Sequence, residues 1–108
     1  MTVRELCNVL ELEPIVLCDG ERTVAGAYTG DLLSWVMGRA QAGEVWVTIM
    51  SNNNIVAVAA LTDVACIVLA EGVQPDAGVA DTARARAVNI LKSPLSAYAL
   101  CVRLGGLI

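Results

Sequence analysis

The residues with the greatest chemical potential stand in one short stretch, Glu21-Arg22-Thr23-Val24-Ala25-Gly26-Ala27-Tyr28-Thr29-Gly30-Asp31. It joins a charged turn to two glycines four positions apart and an acidic residue at the expected entry to a helix. Gly26 and Gly30 would let a phosphate approach backbone N–H groups near Asp31. Asp31 itself stands in the anion position, however, where a carboxylate caps a helix and complements its dipole. A glycine-permitted corner stabilised by its own acid is the commoner outcome. Arg22 can pair with Glu21, with Asp31 or with a ligand anion, and an ion pair at the surface or at an interface is the usual result.

A second polar cluster, Ser51-Asn52-Asn53-Asn54, separates an expected strand from an expected helix and would suit an anion or a ribose hydroxyl. Simple helix capping explains the same residues. Arg22, Thr23, Gly26, Gly30 and Asp31, with Ser51 to Asn54, are the candidate ligand-binding residues, and Arg22 is the one expected to connect the two clusters. Trp35 and Trp46 could stack on a base, although core filling or interface anchoring is the more frequent use.

Catalysis has little to draw on. The chain has no histidine, so a serine or cysteine nucleophile would need a carboxylate or Lys92, the single lysine, as its base. No G-x-x-x-x-G-K-[ST] pattern is present, which removes the usual nucleotide-hydrolysing machinery. Cys7, Cys18, Cys66 and Cys101 lie far apart and read as reduced thiols acting as small hydrophobes. No catalytic set, metal site or cofactor is expected.

The elements that would position these groups follow from apolar patterning. Thr2 and Glu5 form a capping box for a helix over residues 2–11, stopped by Pro14. Ile15–Cys18 reads as a strand ending at Asp19-Gly20, and Thr23–Tyr28 as a second extended segment. From Gly30-Asp31 a helix should run to Gly43, with Leu32, Leu33, Val36, Met37 and Ala40 as its apolar stripe. Val45–Ile49 is a strand, a helix begins near Ile55 and ends near Asp63, and Cys66–Leu69 is a core strand. A polar helix should carry Asp81, Arg84 and Arg86. Asn89–Leu91 should be a brief strand, and Ser93-Pro94 should open a last helix with Leu95, Tyr98, Ala99, Val102 and Leu104 inward.

Strands alternating with helices predict a single α/β domain over 1–108, with a mainly parallel sheet of four to five strands and helices on both faces. Ligands in such sheets favour the carboxyl ends of the strands, here Ser51–Asn54, Glu71-Gly72 and Lys92-Ser93. Apolar residues make up 56% of the chain and aromatics 4%, against about 45–50% apolar in typical domains. A small domain hides such a surplus only in part, which predicts self-association, with a homodimer as the expected state. The net charge of −4 without a basic cluster argues against nucleic acid. Ile55–Ala70, the most hydrophobic run, is broken by Asp63 and shorter than the roughly 20 residues of a membrane span. With no signal-peptide pattern, a cytoplasmic location is expected.

The stretch E-R-T-V-A-G-A-Y-T-G-D resembles the defining motif of DRTGG domains, matched at residues 21, 22, 23, 26 and 30, with Glu21 in place of the aspartate. The resemblance continues through V-W-V-T-I, I-V-A-V-A and L-K-S-P-L-S. It implies a fold similar to the N-terminal domain of HPr kinase/phosphorylase. Domains of this family accompany phosphotransacetylases and CBS-containing, nucleotide-regulated pyrophosphatases, and stand-alone versions occur near iron-only hydrogenase genes. The resemblance therefore implies a non-catalytic regulatory or assembly module. An adenine nucleotide or anionic metabolite, or a redox- or hydrogenase-associated protein, would be its partner.

Overall fold

Thr2 and Glu5 start the chain's first helix as their spacing predicts. In the computed structural model, which describes residues 1–108, the Glu5 N–H donates to Thr2 Oγ1 and the Thr2 N–H to Glu5 Oε1, both at 3.2 Å. The helix, α1 (Val3–Val9), buries Val3, Leu6 and Cys7 and is shorter at both ends than the capping box and Pro14 suggested. Pro14 does not precede the first strand but lies inside it, in β1 (Glu13–Val16). This is possible because β1 is an edge strand, with one rail that has no neighbour and loses nothing from a missing N–H.

The remaining elements are β2 (Gly26–Thr29), α2 (Leu33–Arg39), β3 (Glu44–Thr48), α3 (Asn54–Thr62), β4 (Cys66–Leu69), α4 (Val79–Ala85), β5 (Ile90–Lys92) and α5 (Ala97–Gly105). β2 begins later than expected, since Thr23 makes only an isolated bridge to Thr2. The last helix also starts late. Ser93 Oγ accepts from the Leu95 N–H at 3.1 Å, and Ser96 Oγ is the true cap, accepting from Ala99 N–H at 3.1 Å.

The five strands form one sheet in the order β1-β5-β4-β3-β2. β2 to β5 are parallel, and β1 returns antiparallel to β5 with a register irregularity between Pro14 and Val16. The mainly parallel sheet with helices on both faces is thus the architecture the apolar patterning predicts. Because successive strand residues point to opposite faces, β3 and β4 divide their side chains between two cores. Val45, Val47, Cys66 and Val68 pack with Val3, Leu6, Leu100 and Leu104 of α1 and α5. Trp46, Ile67 and Leu69 pack with Val36, Ile55, Val79 and Ala83 of α2, α3 and α4. No helix is long and apolar enough to cross a membrane.

Two helices depart from their expected faces. On α2 only Val36 and the following Ala40 are buried, while Leu32 is 57% exposed and Met37 and Trp35 also face out. The helix follows edge strand β2 and covers only the margin of the sheet, so a narrow stripe suffices. On α5 the inner line is Leu100 and Leu104, while Tyr98 is 79% and Val102 57% exposed. Its sequence, AYALCVRLG, is apolar nearly all round. Periodicity therefore offered two competing stripes, and the one carrying the two leucines is buried.

Candidate functional site

Asp31 does not cap α2. Its Oδ1 accepts from the Thr48 hydroxyl at 2.7 Å and from the Ile49 N–H at 3.0 Å, which fastens the loop after β2 to the end of β3. The N-cap of α2 is Leu32, which makes no side-chain cap bond. Gly30 belongs to the same junction: its N–H donates to Val47 O at 3.1 Å and its carbonyl accepts from Trp46 Nε1 at 3.0 Å. Trp46 is thereby buried with its one polar atom satisfied.

The two motif glycines do not form a common cradle. Gly26 opens the four-residue strand β2 and Gly30 follows it, which puts them about 13 Å apart at the rise of a strand. A Cβ would meet Glu44 Oε2 at 3.3 Å from Gly26 and the Tyr28 ring at 3.2 Å from Gly30. Both glycines make room for neighbouring side chains of the same domain. Thr23 is exposed beside them and contributes its bridge to Thr2.

Arg22 pairs with a residue the sequence did not suggest. Its Nη1 donates to Asp63 Oδ1 at 3.0 Å and its Nη2 to Asp63 O at 2.8 Å. Asp63 is the left-handed C-cap of α3, with φ of 60°, and its carbonyl also accepts from Gly43 N–H at 2.9 Å. Arg22 therefore closes the C-terminus of α3, where a cation complements the helix dipole. Glu21 turns the other way, to Arg4 Nε at 3.2 Å. The Ser51 to Asn54 cluster lies at the opposite end of this nine-residue helix, about 13 Å away, so Arg22 does not connect the two clusters.

A cavity of about 140 Å³ lies beside the Arg22–Asp63 pair, lined also by Asp19, Arg86 and Asn89. Asn89 is buried with every polar atom engaged. Its Nδ2 donates to Asp19 O at 2.8 Å and to Ala65 O at 3.0 Å, and its Oδ1 accepts from Asp19 N–H at 3.0 Å. Asn89 is not among the residues expected at a site, and its one sequence signal is a polar side chain between Val88 and Ile90 at the start of a core strand. The cavity lies where β4 and β5 begin, at the opposite end of the sheet from the loops where a ligand was expected.

At the carboxyl ends, the loops bond to one another. Ser51 Oγ donates to Asp76 Oδ1 at 2.9 Å, and Asn52 Oδ1 accepts from Asn54 N–H at 2.9 Å, starting α3 one residue outside its N-cap Asn53, which makes no side-chain cap bond. Asn53 and Asn54 are exposed. Glu71 N–H donates to Leu95 O and Gly72 N–H to Ser93 O, each at 2.8 Å, while Lys92 Nζ lies 3.8 Å from Glu13 Oε2.

The cysteines divide by depth. Cys7 and Cys66 are buried, Cys18 is exposed and Cys101 half-buried. Burial, with a smaller contribution from nearby Cys7, pushes the Cys66 thiol up to about 12. Burial also raises Cys7, partly offset by Arg4, and the Cys7 Sγ–H donates to Leu12 O at 3.1 Å. Neither thiol is a nucleophile at neutral pH. A second concavity, of about 270 Å³, runs between β2 and the end of α5, lined by Gly26 to Thr29 with Cys101, Leu104, Gly105 and Ile108.

No family model and no curated protein matches the chain. Its fold is similar to the crystal structure of the CBS and DRTGG domains from the regulatory region of Clostridium perfringens pyrophosphatase, complexed with the activator diadenosine tetraphosphate. The TM-score is 0.72 at 12% sequence identity, over 95% of this chain and 45% of that one. The chain thus spans less than half of the structure it matches. Its five-stranded, mainly parallel sheet with five helices has a DRTGG-like fold, in agreement with the motif at residues 21, 22, 23, 26 and 30.

Proposed function

We propose that the chain is a non-catalytic regulatory or protein-interaction module that works in the cytoplasm as a homo-oligomer, most simply a homodimer. One observation carries this reading: large apolar side chains stand exposed on two helices, Leu32, Trp35 and Met37 along α2 and Tyr98 and Val102 along α5. Exposed apolar patches mark surfaces covered in use, and Tyr98 and Val102, four positions apart, share one face of α5. The polar residues that could have done chemistry support it from the other side, since Arg22, Asp31, Ser51 and Asn52 are engaged in holding loops and helix ends. Size-exclusion chromatography with light scattering is the direct test. A species above 11.3 kDa at micromolar concentration is expected, and a monomer throughout that range contradicts the proposal.

A second reading, a sensor for an adenine nucleotide or anionic metabolite, draws on the activator-bound regulatory region with the similar fold. In this chain the two concavities measure about 140 and 270 Å³, below the roughly 300–1,000 Å³ of typical ligand pockets. A whole nucleotide would need a site completed by another copy or domain. Thermal-shift measurements with diadenosine tetraphosphate, adenine nucleotides and phosphorylated metabolites test this reading, since a ligand that favours the folded state raises the melting temperature. No shift at millimolar ligand rejects it for the isolated chain. A redox- or hydrogenase-associated protein, the other partner implied by the family resemblance, would use the exposed faces of α2 and α5.

A further inference from the structure

The two edges of the sheet are built differently. At one edge, β1 carries Glu13, Pro14 and a register irregularity, all devices that discourage pairing with a further strand. At the other, β2 reads Gly26-Ala27-Tyr28-Thr29, with no charge, no proline and an uninterrupted register against β3. An edge of this kind offers a free rail of N–H and C=O groups, and folded proteins rarely leave one uncovered.

The surroundings of β2 fit such a cover. Ala27 and Thr29 are small and exposed, and they leave the 270 Å³ groove against Cys101, Leu104 and Ile108. Beyond the groove, α5 turns Tyr98 and Val102 outward, and Arg103 is the single charged residue of the helix. Tyr98 alone, at 79% exposure, offers on the order of 150 Å² of the ~800 Å² that each partner contributes to a stable interface.

We infer that β2 and the outer face of α5 form a two-fold interface with a second copy of this chain, in which the two β2 strands pair antiparallel and join their sheets. This inference rests on the self-association reading above and adds the face and the symmetry. A second copy is the occupant that fits the charge pattern. The chain carries −4 overall, so like copies repel least where the contacting segments hold no acid, and none occurs in Gly26–Thr29 or in α5; Glu44, beside Gly26, belongs to the next strand. An antiparallel edge pair is also self-complementary, as a two-fold axis requires.

Ala27→Lys and Tyr98→Glu place charges on the strand edge and on α5 at exposed positions, while Trp35→Glu serves as a control on the opposite face. Light scattering coupled to size exclusion is measured for each full-length variant, with circular dichroism melts to establish folding. The expected result is a dimer for the parent chain and Trp35→Glu, and at least a tenfold weaker dimer for Ala27→Lys and for Tyr98→Glu, all with cooperative melts. A parent dimer that survives both edge substitutions, or one that Trp35→Glu dissociates instead, overturns the β2–α5 assignment and leaves the proposed function standing. A monomeric parent overturns both, and in that case a strand from a different protein becomes the occupant to seek.

Discussion

Asp31 and Thr48 meet at 2.7 Å, hydroxyl to carboxylate, at the point where β2 gives way to α2 and β3 comes to its end. The same Oδ1 takes the Ile49 N–H, so one oxygen atom joins two neighbouring parallel strands at their carboxyl ends. Because the contact uses an acceptor oxygen and not a helix end, Asp31→Asn keeps most of it. We expect Asp31→Ala to cost about 1–2 kcal/mol in urea unfolding and Asp31→Asn less than half of that. Equal losses for the two variants would mean that the charge acts through the helix dipole after all.

Arg22 holds Asp63 at both its side chain and its carbonyl. The side-chain ion pair is partly exposed and therefore weak, whereas the carbonyl bond satisfies the end of α3. Arg22→Ala should lower stability by about 1–2 kcal/mol. Asp63→Asn should cost under about 1 kcal/mol, because asparagine tolerates the left-handed backbone and still presents the carbonyl. If denaturant titrations find Asp63→Asn as damaging as Arg22→Ala, the ion pair and not the carbonyl bond is the important contact.

Gly43 combines a left-handed backbone with a close neighbour. It adopts φ of +81°, and a Cβ there would lie 3.2 Å from the Ala25 Cβ. Gly43→Ala should cost about 1–2 kcal/mol from the left-handed backbone alone. Gly26→Ala, which meets only the Glu44 side chain and needs no left-handed backbone, should cost less. Thermal melts of the two variants rank them directly, and the reverse order would contradict this account.

Cys66 makes stability depend on alkaline pH. Its folded value of about 12 stands above the ordinary 9.0, so the unfolded chain releases its thiol proton first. The thiol's contribution is complete below pH 9 and is lost progressively as pH rises toward 12, by an amount on the order of 4 kcal/mol. Cys66→Ala should be less stable at neutral pH yet lose less between pH 9 and 12. Parallel curves for the two proteins in chemical denaturation would refute the assignment.

Parts of this fold were legible because the local pattern and the final environment agree. Val45–Val47 and Cys66–Leu69 are continuous apolar runs, as strands buried on both faces must be. Thr2 and Glu5 cap a helix through contacts only three residues apart. The candidate site was less legible, because its partners are distant. Asp31 finds Thr48 and Arg22 finds Asp63 across 17 and 41 positions, while sequence reasoning looked to the nearest helix end or the nearest acid. α5 has an apolar residue on almost every side, so its sequence favours Tyr98 and Val102 inward as readily as the leucines, and only the packing of Leu100 and Leu104 decides between them.

The antiparallel return of β1 has a consequence for the growing polypeptide. Glu13 pairs with Lys92 and Pro14 with Leu91, so during synthesis β1 emerges long before β5 exists to receive it. Domains of this kind must carry the strand unpaired while the parallel strands are still being made, a period in which bare strands seek wrong partners. Proline and glutamate in β1 are residues that disfavour strand pairing, so the strand that waits longest for its partner is also the one least suited to a wrong one.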